Sequence, residues 1–143
     1  MPRKMSFEEF EKIYKKVPRI CIELVIFKGK MILLSKRSIY PYKGFWHLPG
    51  VGVLYRETIK RAIKRAAKNE LGIKVIPQKF LGYIEHLKDG YRHSISLAFK
   101  CKILGNKKPR PVSQATEIKF FGKLPKKIVP KNKEFLNMHI KKI

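Results

Sequence analysis

Cysteine is nearly missing from this chain. Cys21 and Cys101 are the two cysteines in 143 residues. They lie far apart and carry no Cys-x-x-Cys spacing, which excludes a disulfide framework and a thiolate metal cluster and leaves two reduced core thiols. No apolar run approaches the roughly 18 residues needed to cross a bilayer. The opening Met1-Pro2-Arg3-Lys4-Met5-Ser6 has no apolar stretch of the kind a signal peptide carries. The expectation is a soluble cytoplasmic protein with no membrane partner. Neither an internal repeat nor a linker interrupts the chain, so residues 1–143 read as one domain, long enough to enclose a core without staples.

Acidic residues are also scarce: 10 Asp+Glu stand against 34 Lys+Arg, a formal charge of +24. Such a field attracts polyanions, which makes nucleotides, nucleotide sugars and nucleic acids the candidate partners. A Lys-rich surface is also what a thermophilic or salt-rich host imposes. The charges are dispersed rather than gathered in one arm, which argues against a dedicated nucleic-acid tail.

What is present is a regular alternation of elements. Ser6-Phe7-Glu8-Glu9 is a capping box, and a helix is predicted from there to Lys16, before Pro18. Ile20 to Phe27 is a β-branched run that reads as a buried strand, and Lys28-Gly29-Lys30 turns it into a second strand from Met31 to Ser35. Tyr40 to Gly44 reads as a loop. Thr58 to Leu71 is an amphipathic helix with Ile59, Ala62, Ile63, Ala66, Ala67 and Leu71 on one stripe and Gly72 at its C-terminal cap. A long hairpin follows from Ile73. Asp89-Gly90 is its predicted type I′ turn, and Ile95, Leu97, Phe99, Cys101 and Ile103 share a face. That register pairs His86 with His93. Glu117 to Phe121 is a short strand, and Pro130 opens a last helix to about residue 142, with Phe135, Leu136, Ile140 and Ile143 apolar. Strands around a central helix, with a further helix at the end, predict an α/β sandwich with a mixed sheet.

The chemistry concentrates in Trp46-His47-Leu48-Pro49-Gly50, Glu57 and Arg65-Ala66-Ala67-Lys68-Asn69-Glu70-Leu71-Gly72-Ile73. In sequence order this is a Gly-bearing turn, a helix, and a carboxylate near the helix end. It resembles the Nudix box, G-x5-E-x7-R-E-U-x-E-E-x-G-U, where U is bulky and apolar. Glu57, Arg65, Glu70, Gly72 and Ile73 match that frame, while Val51, Ala66 and Asn69 replace its Gly and two of its Glu residues. The same two carboxylates are missing in the GDP-mannose mannosyl hydrolase branch of the superfamily. Lys36-Arg37, Gly44-Phe45-Trp46-His47-Leu48-Pro49-Gly50 and Pro111-Val112-Ser113-Gln114 resemble further elements of that branch.

The resemblance implies a single Nudix-like domain, with its box region over residues 50–73, and a homodimer. It implies one Mg²⁺, with Mn²⁺ as the substitute ion, held by the Gly50 carbonyl, Glu70 and Gln114. Magnesium suits such oxygen ligands. Arg37 would contact the diphosphate with its planar fork, and Glu23, Trp46 and His93 would bind substrate. Glu57, Arg65 and Gly72 would shape the box. The implied reaction is attack of water at a sugar anomeric carbon, releasing nucleoside diphosphate. Two departures touch the bond-breaking step: Ala115 stands where the branch has a His as general base, and Gly52 stands where it has an Arg. His86 and Glu117 are the candidate replacements for the base. The competing readings are a pyrophosphohydrolase attacking phosphorus, and an impaired module that binds nucleotide or nucleic acid without turnover.

Overall fold

The computed structural model describes residues 5–113 and 115–139, the Asp89 side chain excepted. Two sequence expectations fall outside them: Gln114 as a metal ligand, and Ile140 and Ile143 on the last helix.

The elements run α1 (Phe7–Tyr14), β1 (Arg19–Lys28), β2 (Met31–Arg37), β3 (Trp46–His47), β4 (Gly50–Gly52) and α2 (Ile59–Ala66). A π-helical turn (Ala67–Leu71), β5 (Lys74–Asp89), β6 (Arg92–Leu104), β7 (Ala115–Phe121) and α3 (Pro130–His139) complete the chain. Ser6 caps α1 through the predicted capping box. The single helix expected over residues 58–71 is a regular helix capped by Thr58, continued by a wide turn and closed by Gly72 at φ +65°. Only glycine takes that backbone conformation without strain.

The sheet is mixed, in the order β3-β2-β1-β6-β5, with β4 added beside β1 and β7 beside β2. β1 and β6 run parallel; the other pairings between these strands are antiparallel, and Trp46 makes an isolated parallel bridge to Ile128. Strand β1 is the rail on which the molecule is built. Its side chains alternate between the two layers, as a pleat requires. Ile22, Leu24 and Ile26 join Ala62, Ile63, Ala66, Ala67 and Leu71 beneath α2. Val25 joins Ile32, Leu34, Leu48, Phe135 and Leu136 beneath α3. The α2–sheet–α3 sandwich is the architecture the alternation of elements predicted.

The hairpin register differs from expectation. Asp89 pairs with Arg92, so the loop is Gly90-Tyr91 rather than Asp89-Gly90. Only Gly90 of these two has positive φ, at +66°, where a type I′ turn needs both central residues positive. An irregularity between His86 and Asp89 then sets His86 opposite Ser94. His86 and His93 are therefore not cross-strand partners. His93, adjacent to Ser94, is turned to the other face of the sheet.

Candidate active site

The turn into α2 is held by a clamp built from the box residues. Arg65 Nε donates to Glu57 Oε2 at 2.8 Å and Arg65 Nη2 to Glu57 Oε1 at 3.0 Å, while Nη2 also donates to the Gly52 carbonyl at 2.6 Å. The Leu54 amide donates to Glu57 Oε1 at 3.0 Å. Burial works to raise the Glu57 carboxyl's pKa, but the Arg65 and Leu54 hydrogen bonds and the neighbouring guanidinium charge outweigh it and leave the group below the usual carboxylate range. Both Glu57 oxygens face donors of this clamp, and its geometry is that of a brace between β4 and α2.

At the other end of the helix, position 66 faces inward. Ala66 is fully buried among the residues under α2. An acidic residue here would be desolvated, so alanine belongs to the packing. Asn69 and Glu70 lie half-buried in the π-helical turn. Gly50 pairs with Glu23 across β4 and β1, and a Cβ on Gly50 would collide with the Ile22 carbonyl. The turn therefore requires glycine, because the backbone approaches its neighbour too closely for any side chain. Among the described residues, no group of three or more His, Cys, Asp or Glu side chains is placed to hold a metal ion. Of the three implied ligands, Gly50 and Glu70 are among the described residues and Gln114 is not.

The α3 side of β1 carries a buried polar network. Glu23 is buried at 8% exposure. Its Oε2 lies 2.9 Å from His86 Nε2, and its Oε1 accepts from Asn132 Nδ2 at 2.9 Å. Asn132, itself 1% exposed, accepts from the Leu48 amide at 2.8 Å. Burial alone would raise the Glu23 pKa; hydrogen bonding and charge from His86, with a further hydrogen bond from Ser96, reverse this and lower it. His47 lies 3.2 Å from Ser35 Oγ through its Nε2. Burial, followed by the Arg37 charge, pushes the His47 pKa down to about 4, so its ring is neutral at physiological pH. Arg37 closes the loop over residues 38–44: its Nε donates to the Pro41 carbonyl at 2.6 Å, and its backbone bonds Phe45 and Gly44.

A cleft of about 240 Å³ opens beside this network, lined by Tyr42, His86, Leu87, Lys88, Val129 and Lys131. Its wall holds a histidine tied to a buried carboxylate, and its rim holds two lysines. That combination suits an anionic ligand carrying a reactive centre near the imidazole.

The structure brings Glu23, Arg37 and His86 to one region and sets others apart. Trp46, implied to bind substrate, packs edge-on against Phe121 with centroids 4.7 Å apart and is not among the residues lining the cleft. Its backbone is pinned to Lys127 and Val129, which draws the ring into the core. Tyr42 takes the aromatic place in the cleft. Glu117, a candidate base on the predicted strand from Glu117 to Phe121, is exposed on β7 opposite Lys36. His93 has an Nε2 that is buried without a hydrogen-bond partner among the described residues, and it lies on the far face from Glu23. Asn132 went unnoticed in the sequence. Its signal was there: it stands three and four residues before Phe135 and Leu136, a polar side chain on an apolar stripe.

Residues 16–136 match the NUDIX domain. The low-salt glycan biosynthesis protein Agl8 of Haloferax volcanii is 38% identical over 82 residues, covering 57% of this chain and 53% of that protein. The ADP-ribose pyrophosphatase of Methanocaldococcus jannaschii is 34% identical over 112 residues, covering 76% of this chain and 66% of that protein. The chain thus spans about half to two thirds of the length of these relatives. The crystal structure of a MutT NUDIX hydrolase from Burkholderia pseudomallei aligns with a TM-score of 0.79 at 26% identity, covering 87% of this chain and 99% of that one. With the box residues braced around the turn into α2 and the match running through most of the fold, the chain belongs to the NUDIX domain family.

Proposed function

We propose that this protein is a divalent-metal-dependent hydrolase of a nucleoside diphosphate sugar of the GDP-mannose type, with water attacking the anomeric carbon and nucleoside diphosphate departing. The observation that carries this reading is the His86–Glu23 pair, 2.9 Å apart, at the wall of the cleft. A carboxylate accepts only, so the hydrogen between the two lies on His86 Nε2 and is donated to Glu23. His86 then takes a proton from the attacking water as its oxygen bonds to the anomeric carbon. The bond from that carbon to the diphosphate breaks, and its electron pair leaves with the diphosphate oxygen. A positioned general base typically contributes about 10² to 10⁴ in rate, which fits the place left by Ala115.

Glu70, the Gly50 carbonyl and Gln114 are the proposed holders of one Mg²⁺, which supplies charge neutralisation of the departing diphosphate. Arg37, close enough to lower the His47 pKa by its charge, adds a fixed cation on the same side. Lys88 and Lys131 at the rim give the incoming anion its first contacts. Glu70 is the one carboxylate left at positions 66, 69 and 70, which favours carbon attack, since attack at phosphorus usually leans on a fuller metal cluster.

A second reading, attack at phosphorus, is favoured by the 34% identity to an ADP-ribose pyrophosphatase. One incubation separates the two. The protein is mixed with Mg²⁺ or Mn²⁺ and a panel including GDP-mannose and ADP-ribose, and the products are resolved. Nucleoside diphosphate plus free sugar is the expected outcome, lost in Glu70→Gln. Nucleoside monophosphate plus sugar phosphate supports the second reading. Nucleotide binding without product identifies a binding module.

A further inference from the structure

We infer that Asn132 is a positioning residue that aligns the Glu23–His86 pair and locks it to the Pro49–Gly50 turn. The inference rests on the proposed role of His86 for its catalytic meaning, but not for its geometry. Asn132 lies in the first turn of α3 and is 1% exposed. Its stripe neighbours Phe135 and Leu136 are apolar and buried, so a leucine would satisfy the packing. A buried amide in such a place is costly unless both ends are bonded. Here both are, and to different elements. Oδ1 accepts from Leu48, two residues before Gly50, and Nδ2 donates to Glu23 on β1.

The consequence falls on the carboxylate. With Oε1 held by Asn132, Oε2 is the oxygen presented to His86. That fixes which His86 nitrogen carries the hydrogen and how the ring is turned. Without the amide the carboxylate is free to swivel, and the imidazole loses its reference. Among the described residues, the charged or titratable groups around His86 include Glu23 on β1, Arg37 on β2, Tyr42 in the loop after β2, His47 on β3, Lys88 on β5 and Lys131 on α3. The facing positions of β6, Ser94 and Ser96, add hydroxyls and no charge. Asn132 is therefore a neutral side chain that ties the Glu23 carboxylate to the Leu48 amide.

The test uses the full chain and Asn132→Leu, which keeps the bulk of the side chain on the apolar stripe and removes both the acceptor for the Leu48 amide and the donor to Glu23. Nitrogen-15 NMR of the His86 side chain is recorded from pH 5 to 9, beside the rate on the nucleotide sugar. The expected result is a change in the His86 nitrogen signals, a shifted His86 titration midpoint, and a kcat lowered about tenfold or more with little change in KM. A His86 spectrum and midpoint equal to the wild type in a folded Asn132→Leu protein overturns the inference. If His86 responds but no nucleotide sugar is hydrolysed by either chain, the positioning stands and the proposed function falls. If Asn132→Leu does not fold, Asn132→Ser is read the same way: a change in the His86 signals and midpoint supports the inference, and none overturns it.

Discussion

Replacing Arg65 by alanine removes three hydrogen bonds at once: two to Glu57, at 2.8 and 3.0 Å, and one to the Gly52 carbonyl at 2.6 Å. The Glu57 side chain is 5% exposed, so it loses its counter-charge where water replaces it poorly. Breaking a buried ion pair by removing one partner costs about 3 to 5 kcal/mol, and a single charge-assisted hydrogen bond contributes about 1.5 to 3 kcal/mol. Arg65 is 21% exposed, which lets some water in and lowers the figure. The expected loss is about 2 to 4 kcal/mol for Arg65→Ala. Arg65→Lys keeps the charge but not the fork, and should lose about half of that. At roughly 3 to 4 °C per kcal/mol for a domain of this size, Arg65→Ala lowers Tm by about 6 to 16 °C. Urea unfolding of Arg65→Ala, Glu57→Gln and the double variant completes the assay, with an unchanged m-value as the control for two-state behaviour. The coupling energy between the two sites should fall between about 1 and 3 kcal/mol. A Tm within about 2 °C of wild type, or a coupling below about 0.5 kcal/mol, refutes the clamp as a stabilising brace.

Gly50→Ala places a methyl against the Ile22 carbonyl, so β4 must shift from β1; stability drops by about 1 to 3 kcal/mol, and the Mg²⁺ concentration needed for half-maximal rate rises. Acid sensitivity follows from Glu23 and Glu57, whose folded pKa values are both depressed. Each stabilises the fold above the ordinary carboxylate range, and that stabilisation is lost as pH falls through the folded pKa. The unfolding free energy read from urea titrations should therefore fall as pH drops below the ordinary carboxylate range, by about 1.4 kcal/mol for each unit of depression, and Glu23→Gln should flatten the slope. An equal slope in that variant removes Glu23 from the explanation.

The sandwich was legible because its signals are local and repeated. The Ser6 capping box, the β-branched run of β1 and the apolar stripe of α2 each name their element without tertiary information. The hairpin register was not. Asp-Gly announces a turn but does not say whether Gly fills its first or second central position; here Gly90 fills the first, and the slip turns His93 away from Glu23. A side-chain period of two makes such an error total for the strand concerned. The π-helical turn was hidden because residues 67–71 continue the helical pattern without a breaker until Gly72. Within the site, Glu23 and His86 were both visible as candidates, but their bond spans 63 positions in sequence and no spacing rule predicts it. Trp46 entered the substrate-binding set through the resemblance, and nothing in its own segment reveals Phe121 packed beside it.

The most direct measurement runs the reaction in ¹⁸O-labelled water and asks which product carries the label. With the wild-type chain, Mg²⁺ and GDP-mannose, attack at the anomeric carbon by water deprotonated at His86 puts ¹⁸O in the free sugar and none in the nucleotide, and His86→Ala cuts the rate about 10² to 10⁴-fold. Label recovered in a phosphate group, or a rate untouched by His86→Ala, contradicts the account.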